Sequence, residues 1–209
     1  GVKYALSRHP KVKGIITGPS TIAHGLKIRT PVYRNRGEVI LDLAEALAAE
    51  AKALEAAGVA ILQIDEPILS TGAADLHIAR QAVDIVTSVV KTPTCMHVCG
   101  DLGAVIEDLL AFPVDILDFE FANNPQNLEL FTGEDLKGKK LGFGVVDSAS
   151  TDVERVEVIQ SRIERGIEFF GAEKLLIDPD CGLRMHSRET AYKKLDHMVR
   201  AAANCRSEL

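Results

Sequence analysis

Four side chains in this sequence combine metal-binding types with places where strands could bring them together. His97 and Cys99 stand in Met96-His97-Val98-Cys99-Gly100, Glu120 closes Leu117-Asp118-Phe119-Glu120, and Cys181 lies in Asp178-Pro179-Asp180-Cys181-Gly182. Each sits where a short apolar run ends, so strands far apart in sequence could deliver imidazole nitrogen, thiolate sulfur and carboxylate oxygen to one place. Zinc takes these donors in tetrahedral arrangements, and His-x-Cys on a strand turns both side chains to one face because the strand period is two. Two thiolates and a carboxylate leave such a site negatively charged. An electron-rich zinc is a weak Lewis acid toward water but holds a thiol as a nucleophilic thiolate at neutral pH. The expected cofactor is therefore Zn2+, and the expected chemistry is alkyl transfer to sulfur rather than hydrolysis. Taken singly, each residue has a plainer reading: a satisfied strand-end histidine, a small buried cysteine, a glutamate paired with a cation. Their joint occurrence favours the metal.

These residues need elements to position them. Short, largely apolar runs bounded by Gly, Pro or Asp predict buried strands over residues 11–17, 59–64, 92–97, 114–119, 140–146 and 174–177. Helical patterns over 38–57, 75–90, 101–111, 124–130, 152–170 and 189–204 follow them, and residues 1–10 form a further helix-like piece. Gly58 and Gly171 stand at C-cap positions, Asp101 and Asp152 at N-cap positions. Repeated βα units predict a parallel sheet covered by helices. An open sheet would spread Asp65-Glu66, His97-Cys99, Glu120, Asp147 and Asp180-Cys181 along an edge, whereas a barrel converges strand ends on one mouth. One shared metal thus predicts an α/β fold of the (β/α)8 TIM-barrel type. That barrel usually needs eight strands and about 250 residues. Six strands in 209 residues predict a single catalytic barrel domain over 1–209 that lacks its first two βα units. Its open sheet edges would be covered by a partner chain or a homo-oligomer.

With 46% hydrophobic and 26% charged residues, the chain can bury a sizeable core. Its longest apolar runs fall far short of the roughly 20 residues of a membrane span, and the N-terminus shows no signal pattern, so no membrane partner and a cytoplasmic location are expected. A net charge of -6 without a basic stripe argues against nucleic acid, and Lys137-Gly138-Lys139-Lys140 reads as a solvated turn. Cys95, Cys99, Cys181 and Cys205 are unevenly spaced and include no C-x-x-C pair. That pattern fits a reducing compartment rather than a disulfide framework, with Cys95 and Cys205 structural.

Ile61-Leu62-Gln63-Ile64-Asp65-Glu66-Pro67, His97-Val98-Cys99, Glu120 and Asp178-Pro179-Asp180-Cys181-Gly182-Leu183-Arg184, with Thr17-Gly18-Pro19-Ser20-Thr21, run the length of the chain. Together they resemble the catalytic barrel of cobalamin-independent methionine synthase, especially its short archaeal-type core forms. The resemblance implies a methyltransferase of methionine biosynthesis that methylates the thiol of homocysteine, with His97, Cys99, Glu120 and Cys181 as zinc ligands. It further implies that Asp65 binds the homocysteine ammonium, a role suited to a carboxylate in a partly dry pocket, with Glu66 as its weaker companion. Asp-Glu-Pro also reads as a strand-ending turn. Thr17, Ser20, Thr21 and Asp147 are candidates for the substrate or donor pocket, although a Gly-Pro turn explains the first three as well.

In folate-dependent members of that family a histidine after the penultimate strand assists protonation of the leaving group. The matching stretch, residues 145–150, reads Val-Val-Asp-Ser-Ala-Ser and carries Ala149 at that place. A methyltetrahydrofolate amine leaves poorly without a proton, whereas a methylcorrinoid releases cobalt(I) without one. The expected donor is therefore methylcobalamin or a methylated corrinoid protein rather than methyltetrahydrofolate. The catalytic acid is unassigned; His186 is a candidate that also fits a solvated helix start. Two other readings stand beside this one. One is a corrinoid to coenzyme M, or other thiol, methyltransferase of the same barrel superfamily. The other is a non-catalytic fragment or paralogue that uses zinc only for folding.

Overall fold

The computed structural model describes residues 1–131 and 136–209. Six strands, β1 (Lys13–Thr17), β2 (Ile61–Asp65), β3 (Thr94–Val98), β4 (Ile116–Glu120), β5 (Lys140–Val146) and β6 (Leu175–Pro179), follow one another through a single sheet in sequence order. The helices are α1 (Val2–Arg8), α2 (Pro19–Gly25), α3 (Arg36–Ala57), α4 (Leu76–Thr87), α5 (Ile106–Leu109), α6 (Val156–Phe170) and α7 (Arg188–Ser207). No helix among the described residues is long and apolar enough to cross a membrane. The chain divides into two compact units, Gly1–Val98 with Ala104–Leu117, and Cys99–Gly103 with Asp118–Leu209.

In the first unit β1, β2 and β3 pair in parallel and in step. Thr17 is level with Asp65, and Asp65 with His97; one pleat earlier, Gln63 is level with Cys95. Helix α3 starts where Asn35 accepts the Glu38 amide at 3.1 Å and stops at Gly58, whose φ of +91° suits a residue without Cβ. It buries Ile40, Ala44, Ala48, Ala51 and Leu54 at intervals of three to four residues, with Val39 flanking them, a stripe that packs as one helix face. Asp75 caps α4 by accepting the amides of His77 and Ile78, and α4 packs on α3.

The second unit pairs β5 with β6 in parallel, with an irregularity between Gly144 and Val146, and α6 and α7 pack on each other and on these strands. Its core is aromatic. Phe121 stacks on Phe143 with ring centroids 4.4 Å apart, and Phe131 meets Phe170 edge-on at 5.4 Å, the offset and edge geometries that aromatic quadrupoles favour.

Several boundaries differ from expectation, each for a local reason. The helix expected over 101–111 is reduced to α5, because Asp101 accepts the Gly103 amide in a turn of its own and the Leu102 amide is drawn to Asn127. Residues 124–130 form a 3-10 turn, Pro125–Phe131, rather than an α-helix. Helix α6 begins at Val156, not Asp152, because Glu154 is turned inward onto Lys194 and Arg162. Helix α2, not anticipated, opens with Pro19 in its first turn, where the missing N–H costs nothing. In chemical denaturation, Phe143→Ala is expected to cost about 3–5 kcal/mol. Tyr192→Ala, on the exposed side of α7, should stay within about 0.5 kcal/mol.

Candidate metal centre

The strand ends bring three of the four expected ligands together. The donor atoms of His97, Cys99 and Cys181 lie within 4.8 Å of one another, a separation compatible with ligands about 2.0–2.3 Å from one ion. His97 is the last residue but one of β3, Cys99 follows that strand, and Cys181 lies two residues beyond the end of β6. Glu120, the final residue of β4, is buried but falls outside this group of three. Its Oε2 accepts a hydrogen bond from the Asn124 side chain. Its charge nevertheless acts on Cys99. The Cys99 thiol is held well above its usual range, first by its hydrogen bond with Cys181, then by burial, then by the charges of Cys181 and Glu120. Crowded anions in poorly solvated space cannot all ionise without a cation between them. Donor type, spacing and charge therefore fit zinc, with His97, Cys99 and Cys181 to hold it and Glu120 beside them.

The residues after β4 lock this arrangement. Asp180, immediately before Cys181, accepts the amides of Phe121 at 3.2 Å, Ala122 at 3.1 Å and Asn123 at 2.6 Å. Burial pushes its carboxyl up to about 6, with these amides opposing and the Glu120 charge reinforcing the rise. Gly144 makes the approach possible, since a Cβ there would stand 2.4 Å from Asp180 Oδ1 and 2.7 Å from the Phe119 carbonyl. Asp180 reads in the sequence as a strand-end residue with no role of its own, and Asn124 and Asn127 are not singled out there. The Asn-Asn-Pro turn after a strand-end glutamate was the available signal.

On the first unit, Asp65 accepts the Gln63 side-chain amide at 2.8 Å, and the Cys95 thiol reaches the Gln63 carbonyl oxygen at 3.6 Å. Gln63 orients the expected ammonium-binding carboxylate and also escaped the sequence reading, although an amide inside an apolar strand, two residues from Asp65, marks the same face. Glu66 is spent internally. It accepts the Ser20 amide at 2.9 Å, the Thr21 amide at 2.8 Å and the Thr21 hydroxyl at 2.6 Å. Burial raises its pKa and these donors oppose the rise. Gly18 admits that carboxylate, because a Cβ would lie 2.3 Å from Glu66 Cδ. Ser20 and Thr21 thus anchor α2 to the end of β2, and Thr17 ends β1 level with Asp65.

The family description "Cobalamin-independent synthase, Catalytic domain" matches residues 2–204. The chain belongs to the cobalamin-independent synthase family. It is 49% identical over 195 residues to a methionine synthase of Methanothermobacter marburgensis, covering 92% of this chain and 62% of that protein. A methionine synthase of Methanocaldococcus jannaschii is 44% identical over 206 residues, covering 94% and 66%. Among solved structures, a B12-independent methionine synthase from Shewanella sp. W3-18-1 in complex with selenomethionine matches with a TM-score of 0.88 and 26% identity, over 99% of this chain and 66% of that one. The fold class is therefore the α/β barrel type expected, with six strands among the described residues. The chain spans less than two-thirds of the length of these relatives.

In this synthase-family chain the loop after β5 is held by an ion network. Glu154 accepts the Asp147 amide at 2.7 Å, Arg162 at 3.1 Å and Lys194 at 2.8 Å. Lys194 is fully buried and also donates to the Asp147 carbonyl at 2.9 Å. The Asp147 carboxylate accepts the Ala149 and Ser150 amides, which shapes the turn in which that pocket candidate sits. His186 Nε2 lies 2.8 Å from the Ser148 carbonyl. Burial alone would raise the Glu154 carboxyl, but the bonds from Lys194 and the Asp147 amide prevail and hold it below the usual carboxylate range. A depressed folded value contributes stability above the unfolded pKa of about 4.3, lost as pH falls through the folded value. Glu154→Gln should lose about 3 kcal/mol at neutral pH, through the buried Lys194 charge it strands, and show a shallower decline in stability on acidification. Denaturation midpoints across pH 3–7 measure both.

Proposed function

We propose that the intact protein methylates the thiol of homocysteine to form methionine, with zinc as its metal and a methylcorrinoid as donor. The observation that carries this reading is the cluster of His97, Cys99 and Cys181 beside Glu120 in a chain of the cobalamin-independent synthase family. The selenomethionine bound by the Shewanella protein supports an amino-acid pocket of product shape. Because the chain covers 62% of the Methanothermobacter marburgensis protein, the activity is proposed for the intact protein.

Zinc at this site would keep a substrate thiol deprotonated at neutral pH. The chain's own residues supply the rest. Asp65, oriented by Gln63, takes the homocysteine ammonium as a charge-assisted partner. Glu66, engaged with α2, stiffens the strand end behind it. Glu120, held by Asn124, completes the donor set and is the member most easily exchanged, because a carboxylate is released more readily than a thiolate. Thr17 and Asp147 remain candidates for lining the substrate or donor pocket. Ala149 stands in the loop after β5, and the His186 imidazole is engaged with the Ser148 carbonyl. This suits a leaving group that departs without a proton. Rate comes chiefly from positioning two reactants in line.

The same reading treats residues 1–209 as one barrel domain short of two βα units. Ile15 on β1 is 54% exposed, which supports cover by further chain or a second copy in the assembled protein. Four unevenly spaced cysteines without a C-x-x-C pair support a reducing, cytoplasmic setting. The decisive assay incubates the intact, zinc-loaded protein with homocysteine and each donor. Methionine is expected with methylcobalamin; turnover only with methyltetrahydrofolate would overturn the donor, and none with either would overturn the function. Cys181→Ser should lose the bound zinc equivalent and lower activity by about 100-fold or more.

A further inference from the structure

Asn127 is fully buried within the 3-10 turn Pro125–Phe131. Its Nδ2 donates to the Gly100 carbonyl at 3.0 Å and to the Glu120 carbonyl at 3.0 Å, and its Oδ1 accepts the Leu102 amide at 3.1 Å. An Asn side chain has two N–H donors, and both go to backbone at the metal centre. Gly100 directly follows Cys99 and turns the chain with φ +97°. Glu120 stands beside the three clustered donors, its charge acting on Cys99. The Asn127 amide is in turn fixed by the Asn124 carbonyl at 3.0 Å, and Asn124 bonds the Glu120 carboxylate. One side chain thus joins the backbone behind a thiol to the backbone behind a carboxylate, and the same short turn orients that carboxylate.

We infer that Asn127 is a positioning residue of the metal centre, setting Cys99 relative to Glu120 so that both face one ion without further ordering. The inference rests on the zinc reading above. Without Asn127 the Gly100 turn and the β4 end are free to separate, and metal binding must then order them, which weakens affinity although no ligand has been removed.

The test compares the intact wild-type protein with Asn127→Ala, Asn127→Asp, Cys181→Ser and Ile163→Ala. Ile163 is buried in α6 and makes none of these bonds, so its variant reports general loss of stability. Zinc affinity is measured by chelator competition, ligand geometry by the thiolate-to-cobalt absorption of the Co2+ form, and stability by the Tm of the metal-free proteins. Both Asn127 variants should bind zinc about 10- to 100-fold more weakly and show an altered cobalt spectrum, whereas Ile163→Ala lowers Tm and keeps wild-type affinity. Asn127→Asp retains size and the Leu102 acceptor while losing both donors, so it carries the test if Asn127→Ala does not fold. Wild-type affinity and spectrum in the Asn127 variants, or equal weakening in Ile163→Ala, would overturn the inference. Failure of the zinc reading is seen separately, as wild type that binds no zinc or Cys181→Ser that binds as tightly as wild type; either overturns both.

Discussion

Asp180 accepts three consecutive backbone amides, those of Phe121, Ala122 and Asn123, and the geometry around Cys181 follows from that contact. A buried carboxylate is costly unless its lone pairs are filled. The chain after β4 fills them by turning its N–H groups toward the β6 end. The consequences extend outward. The turn that satisfies Asp180 presents Asn124 to Glu120 and leads into Asn127, whose side chain secures the residues after Cys99. Gly144 is glycine because the same contact leaves no room for a Cβ. The electrostatics are graded too. Asp180 is raised by burial and by Glu120, and Cys99 by Cys181 and burial, so the local excess of negative charge is divided between a residue held by amides and a cluster suited to a cation.

Much of the scaffold was legible in the amino-acid pattern, because buried parallel strands are short apolar runs and helix ends carry caps. Gly58 and Gly171 end α3 and α6 as their positions imply, and all six strands lie within two residues of their expected limits. The His-x-Cys and Asp-Pro-Asp-Cys motifs pointed to residues that do converge. What escaped were the polar side chains that hold the ligands. Gln63, Asn124 and Asn127 carry no periodic signature, and their partners lie on backbone atoms that only the folded chain brings near. The helix starts at Asp101 and Asp152 failed for a related reason. A nominal cap is overridden when a neighbouring side chain, Asn127 in one case and the inward Glu154 in the other, has a stronger tertiary commitment. Glu66 shows the converse: a motif residue at a strand end whose carboxylate is consumed by the N-terminus of α2.

The Glu154 network does for the β5 loop what Asp180 does for the β4 loop, by different means. A fully buried ammonium would be unfavourable alone, but Lys194 has both a carboxylate and the Asp147 carbonyl as partners. Arg162 adds a tie to the Val145 carbonyl at 2.7 Å. Cations reaching from α6 and α7 thereby fix the strand terminus.

The alignment of Thr17, Asp65 and His97 across three neighbouring strands makes the sheet a ruler. Neighbouring parallel strands lie about 4.8 Å apart, so the backbone intervals from His97 to Asp65, and from Asp65 to Thr17, are counted in whole strand steps. Lengthening a loop cannot alter that interval; only moving a residue along its strand, or to another strand, can. Any molecule that reaches from one of these strands to the next therefore meets a spacing set by backbone pairing rather than by loop length.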